Sequence, residues 1–213
     1  PATNQECRCG AGANRKGHAP PAVHVGSTGG GTADGLVLVV KVLNDRFGIE
    51  RGMMTTVHAY TADQKLQDLP HKDLRRARAA ADNIIPTSTG ANRAVSEVLP
   101  ELKGRFQGMS FRVPILDVSV IDLVAQLQRT TTVDEVNAAF DDAASGSLRG
   151  ILAVSHEELV SSDFKNDPHS SIVDASLTLM QGGDWVKVVS WYDNEWGFSC
   201  RMVDLITFMA KQL

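Results

Sequence analysis

A histidine stands at the end of a threonine-rich stretch, Thr55-Thr56-Val57-His58-Ala59-Tyr60-Thr61. Upstream, Gly29-Gly30-Gly31-Thr32-Ala33-Asp34-Gly35 runs directly into an apolar segment from Leu36 to Phe47. A tight turn that opens a helix beside an imidazole is the layout that activates a cysteine thiolate, because helix dipole and histidine both lower a thiol pKa. Imidazole also suits proton transfer, since its unperturbed pKa lies near neutrality. Here the turn holds glycines and no thiol. His58 is therefore either half of a nucleophile–base pair or a structural histidine hydrogen-bonded at a sheet edge.

The elements that must position these groups are readable from periodicity. Leu36, Val37, Val39, Val40, Leu43 and Phe47 recur at helical spacing, and Gly48 is a natural stop. Arg51 to Tyr60 reads as a buried strand. Thr61 to about Asn83 is polar, carries Pro70, and is too long for an idle connection, so it reads as a functional loop. A short helix is expected over Ala91 to Leu102, interrupted by Pro100, and strands over Gly108 to Ile115 and Val118 to Gln128. Thr132-Val133-Asp134-Glu135 fits a capping box opening a helix to about Ala144. Strands follow at Gly150 to Val154, Ser171 to Met180 and Trp185 to Trp191, then an amphipathic helix from Ser199 to Leu213. Strands interspersed with helices, without regular βαβ alternation, argue for α+β: a mostly antiparallel mixed sheet with helices on one face.

Composition narrows the function. Hydrophobic content of 43% supports a sizeable core. A net charge of −4 gives no reason to expect nucleic acid, and no apolar run reaches membrane-spanning length. The Arg75-Arg76-Ala77-Arg78 cluster reads as a salt-bridging run because Asp63, Asp68 and Asp73 are near in sequence. Cys7, Cys9 and Cys200 form no framework and read as reduced thiols; Cys7 and Cys9 with His18 and His24 match no zinc spacing, so no metal is expected. Residues 1–35 stand apart: they lack Leu, Ile, Met, Phe, Trp and Tyr, and only Ala22-Val23-His24-Val25 could form a strand. Such a stretch is expected to be poorly ordered, with a separate domain from 36 to 213. The break near Leu36 fits a flexible tail, a translation out of frame or a fusion. A Gly/Ala/Pro/Arg-rich make-up is what GC-rich coding sequence yields out of frame, and we favour that reading.

From about Val37 onward the chain closely resembles the catalytic half of phosphorylating glyceraldehyde-3-phosphate dehydrogenase. Seven runs carry the resemblance, in order and at the family's spacing: Lys41 to Gly48, Thr55 to Gln64, Asp68 to Arg78, Ile85 to Ala91, Phe111 to Pro114, Val160 to Phe164 and Trp191 to Gly197. It fails over residues 1 to about 35, and the family's N-terminal Rossmann domain has no counterpart in these 213 residues. The family carries Ser-Cys-Thr-Thr-Asn-Cys at the start of the first helix. Counting back without gaps from Lys41 sets the nucleophile position on Gly31 and the second cysteine on Gly35.

The resemblance implies roles for named residues. His58 would pair with the missing thiolate and act as acid/base during hydride transfer. Thr61 and Arg112 would bind the substrate C3 phosphate, since an arginine fork suits phosphate oxygens. Thr89 and Gly90, with Thr32 from the first helix, would bind inorganic phosphate at a helix N-terminus. The alternatives are an ordinary ion pair for Arg112 and plain capping for Thr89. Asn194 would hold the nicotinamide carboxamide, and Leu69-Pro70 match the form that prefers NAD as cofactor. The loop from Thr61 would line the cofactor and pack between subunits, and Val203 to Met209 would lie against the Rossmann domain. The implied activity is a cytoplasmic, tetrameric glycolytic oxidoreductase, with NAD-dependent oxidation and phosphorylation of D-glyceraldehyde 3-phosphate. With glycine at the nucleophile position, the chain as written is expected to be inactive. A non-catalytic oligomerisation or binding module is the alternative.

Overall fold

The computed structural model describes residues 30–211. Cys7, Cys9, His18, His24 and the Ala22–Val25 segment lie outside the described residues. Eight strands form one mixed sheet in the order β2-β3-β1-β4-β8-β6-β5, with β7 paired to β8. The strands are β1 Ile49–Ala59, β2 Ile85–Ser88, β3 Phe106–Val113, β4 Ser119–Leu127, β5 Leu152–Ser155, β6 Ser171–Asp174, β7 Leu179–Gln181 and β8 Trp185–Tyr192. Only β1–β3 and β5–β6 pair in parallel. The expected α+β class, mostly antiparallel, is the one observed.

The helices α1 Gly31–Phe47, α2 Ala91–Val98 and α3 Val133–Ser145 pack on the sheet face whose strands alternate buried and half-exposed residues. Leu36, Val39, Val40 and Leu43 of α1 are fully enclosed, because α1 meets the sheet on one side and α2 and α3 on its flanks. At about 25 cal/mol per Å² of buried apolar surface, each such side chain contributes roughly 1.5–3 kcal/mol relative to exposure. Helix α3 starts as expected. Thr132 Oγ1 accepts the Glu135 N–H at 3.2 Å, and the Glu135 carboxylate accepts the Thr132 N–H at 3.3 Å. The fourth helix, α4 Trp196–Ala210, buries little, and Val203, Ile206 and Met209 are all more than half exposed.

Several elements differ from the sequence expectation. Helix α1 begins at Gly31, five residues before Leu36, so the compositional break falls inside a helix. Poor intrinsic propensity there is overridden by packing. A Cβ on Gly35 would sit 3.1 Å from the Ser170 carbonyl oxygen and 3.1 Å from Ile121 Cδ1, so the helix start is packed closely against the sheet. Ile85–Ser88 is a strand despite Pro86, because β2 is a sheet edge where a missing N–H costs nothing. Helix α2 ends at Val98, and Pro100–Leu102 makes a separate 3₁₀ turn. The stretch Ser171 to Met180 is two strands split by a 3₁₀ turn at Ala175–Leu177. Helix α4 starts at Trp196 and not Ser199.

Candidate active site

The two-residue alternation of the strands delivers polar side chains in rows at one end of the sheet. In the parallel β1–β3 register His58 is opposite Arg112 and Thr56 opposite Ser110. On β2, Thr87 faces Ser110, and across β4–β8 Ser119 faces Tyr192. The N-termini of α1 and α2 come down on this row. The result is a cleft of about 280 Å³ whose walls include Gly31, Thr32, His58, Thr61, Thr89, Gly90, Arg112 and Asn194. Eight positions singled out from the sequence thus share one cavity. Leu69 and Pro70 do not line it; both are exposed in the loop after β1.

His58 is buried, and its ring meets Tyr192 edge-on at 5.9 Å between centroids. Nδ1 lies 2.7 Å from the Ala59 carbonyl oxygen, which can only accept, so the tautomer that satisfies this contact carries its proton on Nδ1; Arg112 Nη1 lies 2.6 Å from the same nitrogen. Nε2 has no hydrogen-bond partner among the described residues and is the nitrogen free to serve chemistry. Burial, reinforced by the adjacent Arg112 charge, pushes the imidazole pKa down to about 4. His58 is therefore neutral at physiological pH, the form of a base.

Arg112 donates from Nη1 to the Ala59 carbonyl oxygen at 3.0 Å, while its buried Nε has no protein partner. Ser110 Oγ, also lining the cleft, is likewise buried without a partner. Buried donors without acceptors are costly, about 1–3 kcal/mol each, and mark places where a ligand can bond. Thr61 donates its hydroxyl proton to the Asp63 carboxylate, which also pairs with Arg76. Burial opposes ionisation of Asp63, but the Thr61 hydrogen bond and the Arg76 and Arg112 charges outweigh it and hold its pKa below the usual value. The arginine cluster is thus tied to carboxylates, Arg78 pairing with Asp68 at 2.8 Å.

Thr89 Oγ1 accepts the Ala91 N–H at 3.3 Å, so capping accompanies whatever else this turn does. Thr32 Oγ1 is 2.6 Å from the Tyr192 hydroxyl, which also lies 3.0 Å from Thr56 Oγ1. This fully buried tyrosine ties the first turn of α1 to β1, two residues from His58. Asn194 Oδ1 accepts from Ser119 Oγ at 2.8 Å, and Ser119 Oγ in turn accepts the Ala59 N–H at 3.1 Å. The preceding residue, Val118, has φ 68°, a left-handed conformation that costs a β-branched residue about 1–3 kcal/mol.

Gly31 sits against this network. A Cβ there would lie 3.2 Å from both Asn194 Cα and Tyr192 Cδ2, tight but with a backbone that L-residues adopt in helices. Sequence reasoning missed Ser110, Thr56 and Ser119. Thr56 and Ser110 each stand two residues before a position already singled out, His58 and Arg112, and so share its strand face, whereas Ser119 is placed by the β1–β4 and β4–β8 pairings and carried no such signal.

Residues 31–194 match the family described as glyceraldehyde 3-phosphate dehydrogenase, C-terminal domain. The chain belongs to that family. It is 55% identical over 212 residues to glyceraldehyde-3-phosphate dehydrogenase of Geobacillus stearothermophilus, covering 100% of this chain and 63% of the relative. Glyceraldehyde-3-phosphate dehydrogenase 1 of Bacillus subtilis is 59% identical over 181 residues, 85% of this chain and 54% of the relative. The Streptomyces coelicolor enzyme is 51% identical over 214 residues, 100% of this chain and 64% of the relative. Two of these alignments run the whole chain, including residues 1–35, where the sequence reading found no resemblance. The chain spans between about half and two thirds of the length of these curated relatives. Family membership makes this a C-terminal domain of the glyceraldehyde-3-phosphate dehydrogenase type. Among the described residues no helix is long and apolar enough to cross a membrane.

Proposed function

We propose that this chain forms the substrate half of a glycolytic, NAD-dependent glyceraldehyde-3-phosphate dehydrogenase site, with glycine at the nucleophile position. The observation that carries this reading is the convergence of His58, Arg112 and two helix N-termini on one cleft, where Arg112 Nε and Ser110 Oγ are buried without partners. A phosphorylated aldehyde would present anionic oxygens to the Arg112 and Thr61 side and a second phosphate to Thr32, Thr89 and Gly90. The carbonyl carbon would then lie near Gly31, beside His58 Nε2. In the family a thiolate attacks that carbon, hydride leaves to NAD, and inorganic phosphate releases 1,3-bisphosphoglycerate. His58, neutral and fixed through Nδ1, suits the proton transfers of that sequence.

The side chain of Asn194 is held through Oδ1, and its amide nitrogen donates to Glu195 Oε1 at 3.4 Å, which leaves one N–H for a nicotinamide carboxamide. NAD would be bound chiefly by chain beyond these residues, and Leu69 and Pro70 would meet it only through loop packing. The reading includes a cytoplasmic setting and tetrameric assembly. With Gly31 in place of a thiol, no acyl-enzyme forms. Purified chain with NAD, glyceraldehyde 3-phosphate and phosphate should yield no NADH, whereas NADH production would overturn this part of the reading.

Inorganic phosphate, and separately glyceraldehyde 3-phosphate, should shift the amide resonances of Thr32 and Thr89–Ala91 and the Arg112 side-chain signal. Absence of shifts at millimolar ligand would contradict the substrate assignment. One observation favours the second reading, a non-catalytic association module: Val203, Ile206 and Met209 on α4, with Leu66 and Leu74 in the loop, are strongly exposed. A monodisperse monomer by light scattering would count against it.

A further inference from the structure

The antiparallel ladder between β1 and β4 ends at the Val57–Val120 pair. Continued by two residues, the same register would bring Ala59 opposite Val118. Val118 instead takes φ 68°, fully buried, with its N–H donated to Asp117 Oδ1 at 2.8 Å. A left-handed φ strains a β-branched residue, and such strain gathers where a side chain must be aimed. The side chain aimed here is that of Ser119, 1% exposed. Its Oγ accepts the Ala59 N–H at 3.1 Å, where a ladder carbonyl would otherwise serve. Ala59 is then held at both backbone polar groups, since its carbonyl oxygen lies 2.7 Å from His58 Nδ1 and accepts from Arg112 Nη1 at 3.0 Å.

A serine hydroxyl carries one proton. With the Ala59 N–H directed at the oxygen, that proton is left to donate, and it reaches Asn194 at 2.8 Å. Tyr192, opposite Ser119 in the β4–β8 register, has its hydroxyl engaged with Thr32 and Thr56. Of the two ends of a carboxamide only the oxygen accepts. Asn194 therefore turns Oδ1 toward Ser119 and Nδ2 away, where Nδ2 donates to Glu195 Oε1 at 3.4 Å. Asn194 and Glu195 line the cleft, whereas Ser119 does not.

We propose that Ser119 is a positioning residue whose single proton fixes which end of the Asn194 carboxamide faces the cleft. That end is a donor, so this edge of the cleft takes a ligand group that accepts, such as a carbonyl oxygen. A ligand carboxamide has a donor end and an acceptor end, and Asn194 held this way meets only the acceptor end. This consequence rests on the assignment of Asn194 to the cofactor side; the orientation itself belongs to the ligand-free chain.

NMR of the isotope-labelled chain without ligand tests the orientation. In the wild type, NOEs from the Asn194 side-chain amide protons should be stronger to the Glu195 γ-protons than to the Ser119 β-protons. Ser119→Ala should abolish that preference and speed exchange of the Ala59 amide roughly two- to tenfold relative to Val57, the effect of losing one hydrogen bond. Ser119→Thr keeps the hydroxyl and should restore both. A purely structural serine would lower stability on truncation but leave Asn194 unturned. The proposal is overturned by stronger NOEs to Ser119 in the wild type, by an unchanged Asn194 preference in Ser119→Ala, or by Ser119→Thr behaving as the alanine variant does. The wild-type NOEs decide without any variant should Ser119→Ala fail to fold. A failure of the cofactor assignment shows elsewhere: nicotinamide added to the wild type would leave the Asn194 amide signals in place.

Discussion

Lowering the pH should destabilise this domain through one identifiable group. His58 has an ordinary unfolded pKa of 6.5 and a folded value of about 4, because it is buried against Arg112. Between those values the unfolded chain binds the proton and the folded chain resists it. Stability is therefore complete above about pH 6.5 and falls as the pH drops toward 4. At 1.36 kcal/mol per unit, the full loss is about 3 kcal/mol, of which about 2 kcal/mol is gone by pH 5. That is a sizeable share of the roughly 5–15 kcal/mol a domain possesses. The assay is urea unfolding from pH 7.5 to 4.5, monitored by tryptophan fluorescence, for the wild type and for His58→Gln. The difference between the two curves isolates His58 from the carboxylates that titrate in the same range. The difference should shrink by about 2 kcal/mol between pH 7.5 and 5. A flat difference, or an imidazole that titrates near 6.5 by NMR in the folded wild type, would refute the burial argument.

Two further substitutions probe the same neighbourhood. Arg112→Met should raise the His58 pKa from about 4 but leave it below 6.5, since burial is the larger cause; a full return to 6.5 would mean the arginine charge dominates. Tyr192→Phe removes the hydroxyl that meets Thr32 and Thr56, leaving Thr56 buried without it. Chemical denaturation should show a loss of about 1–3 kcal/mol, and hydrogen exchange at the first turn of α1 should accelerate; unchanged exchange would show that the tyrosine does not hold that turn.

Much of the site was legible because its residues sit where local rules and periodicity agree. The Thr132–Glu135 capping box and the stop at Gly48 are local, and both formed where read. His58 and Arg112 fall on the helix-facing face of adjacent strands, so a period of two brings them together once the register is known. What escaped depends on partners distant in sequence. Residues 31–35 look unfit for a helix until Gly35 is seen packed against Ser170. Strand β2 was hidden by Pro86, which only an edge position tolerates. Leu69 and Pro70 were assigned by resemblance alone, and their loop carries them away from the cleft.

The central claim is that Gly31 occupies a position built to activate a thiol. Gly31→Cys places one at the α1 N-terminus with only the 3.2 Å contacts to Asn194 Cα and Tyr192 Cδ2 to relieve. The direct measurement is the pH dependence of iodoacetamide alkylation at position 31, located by mass spectrometry so that Cys7, Cys9 and Cys200 do not interfere. The account predicts a thiolate forming well below the ordinary thiol value of about 8.5, through the helix dipole and the nearby Arg112. It also predicts that His58→Asn changes that profile. A thiol at position 31 that titrates at or above about 8.5, indifferent to His58, would contradict it.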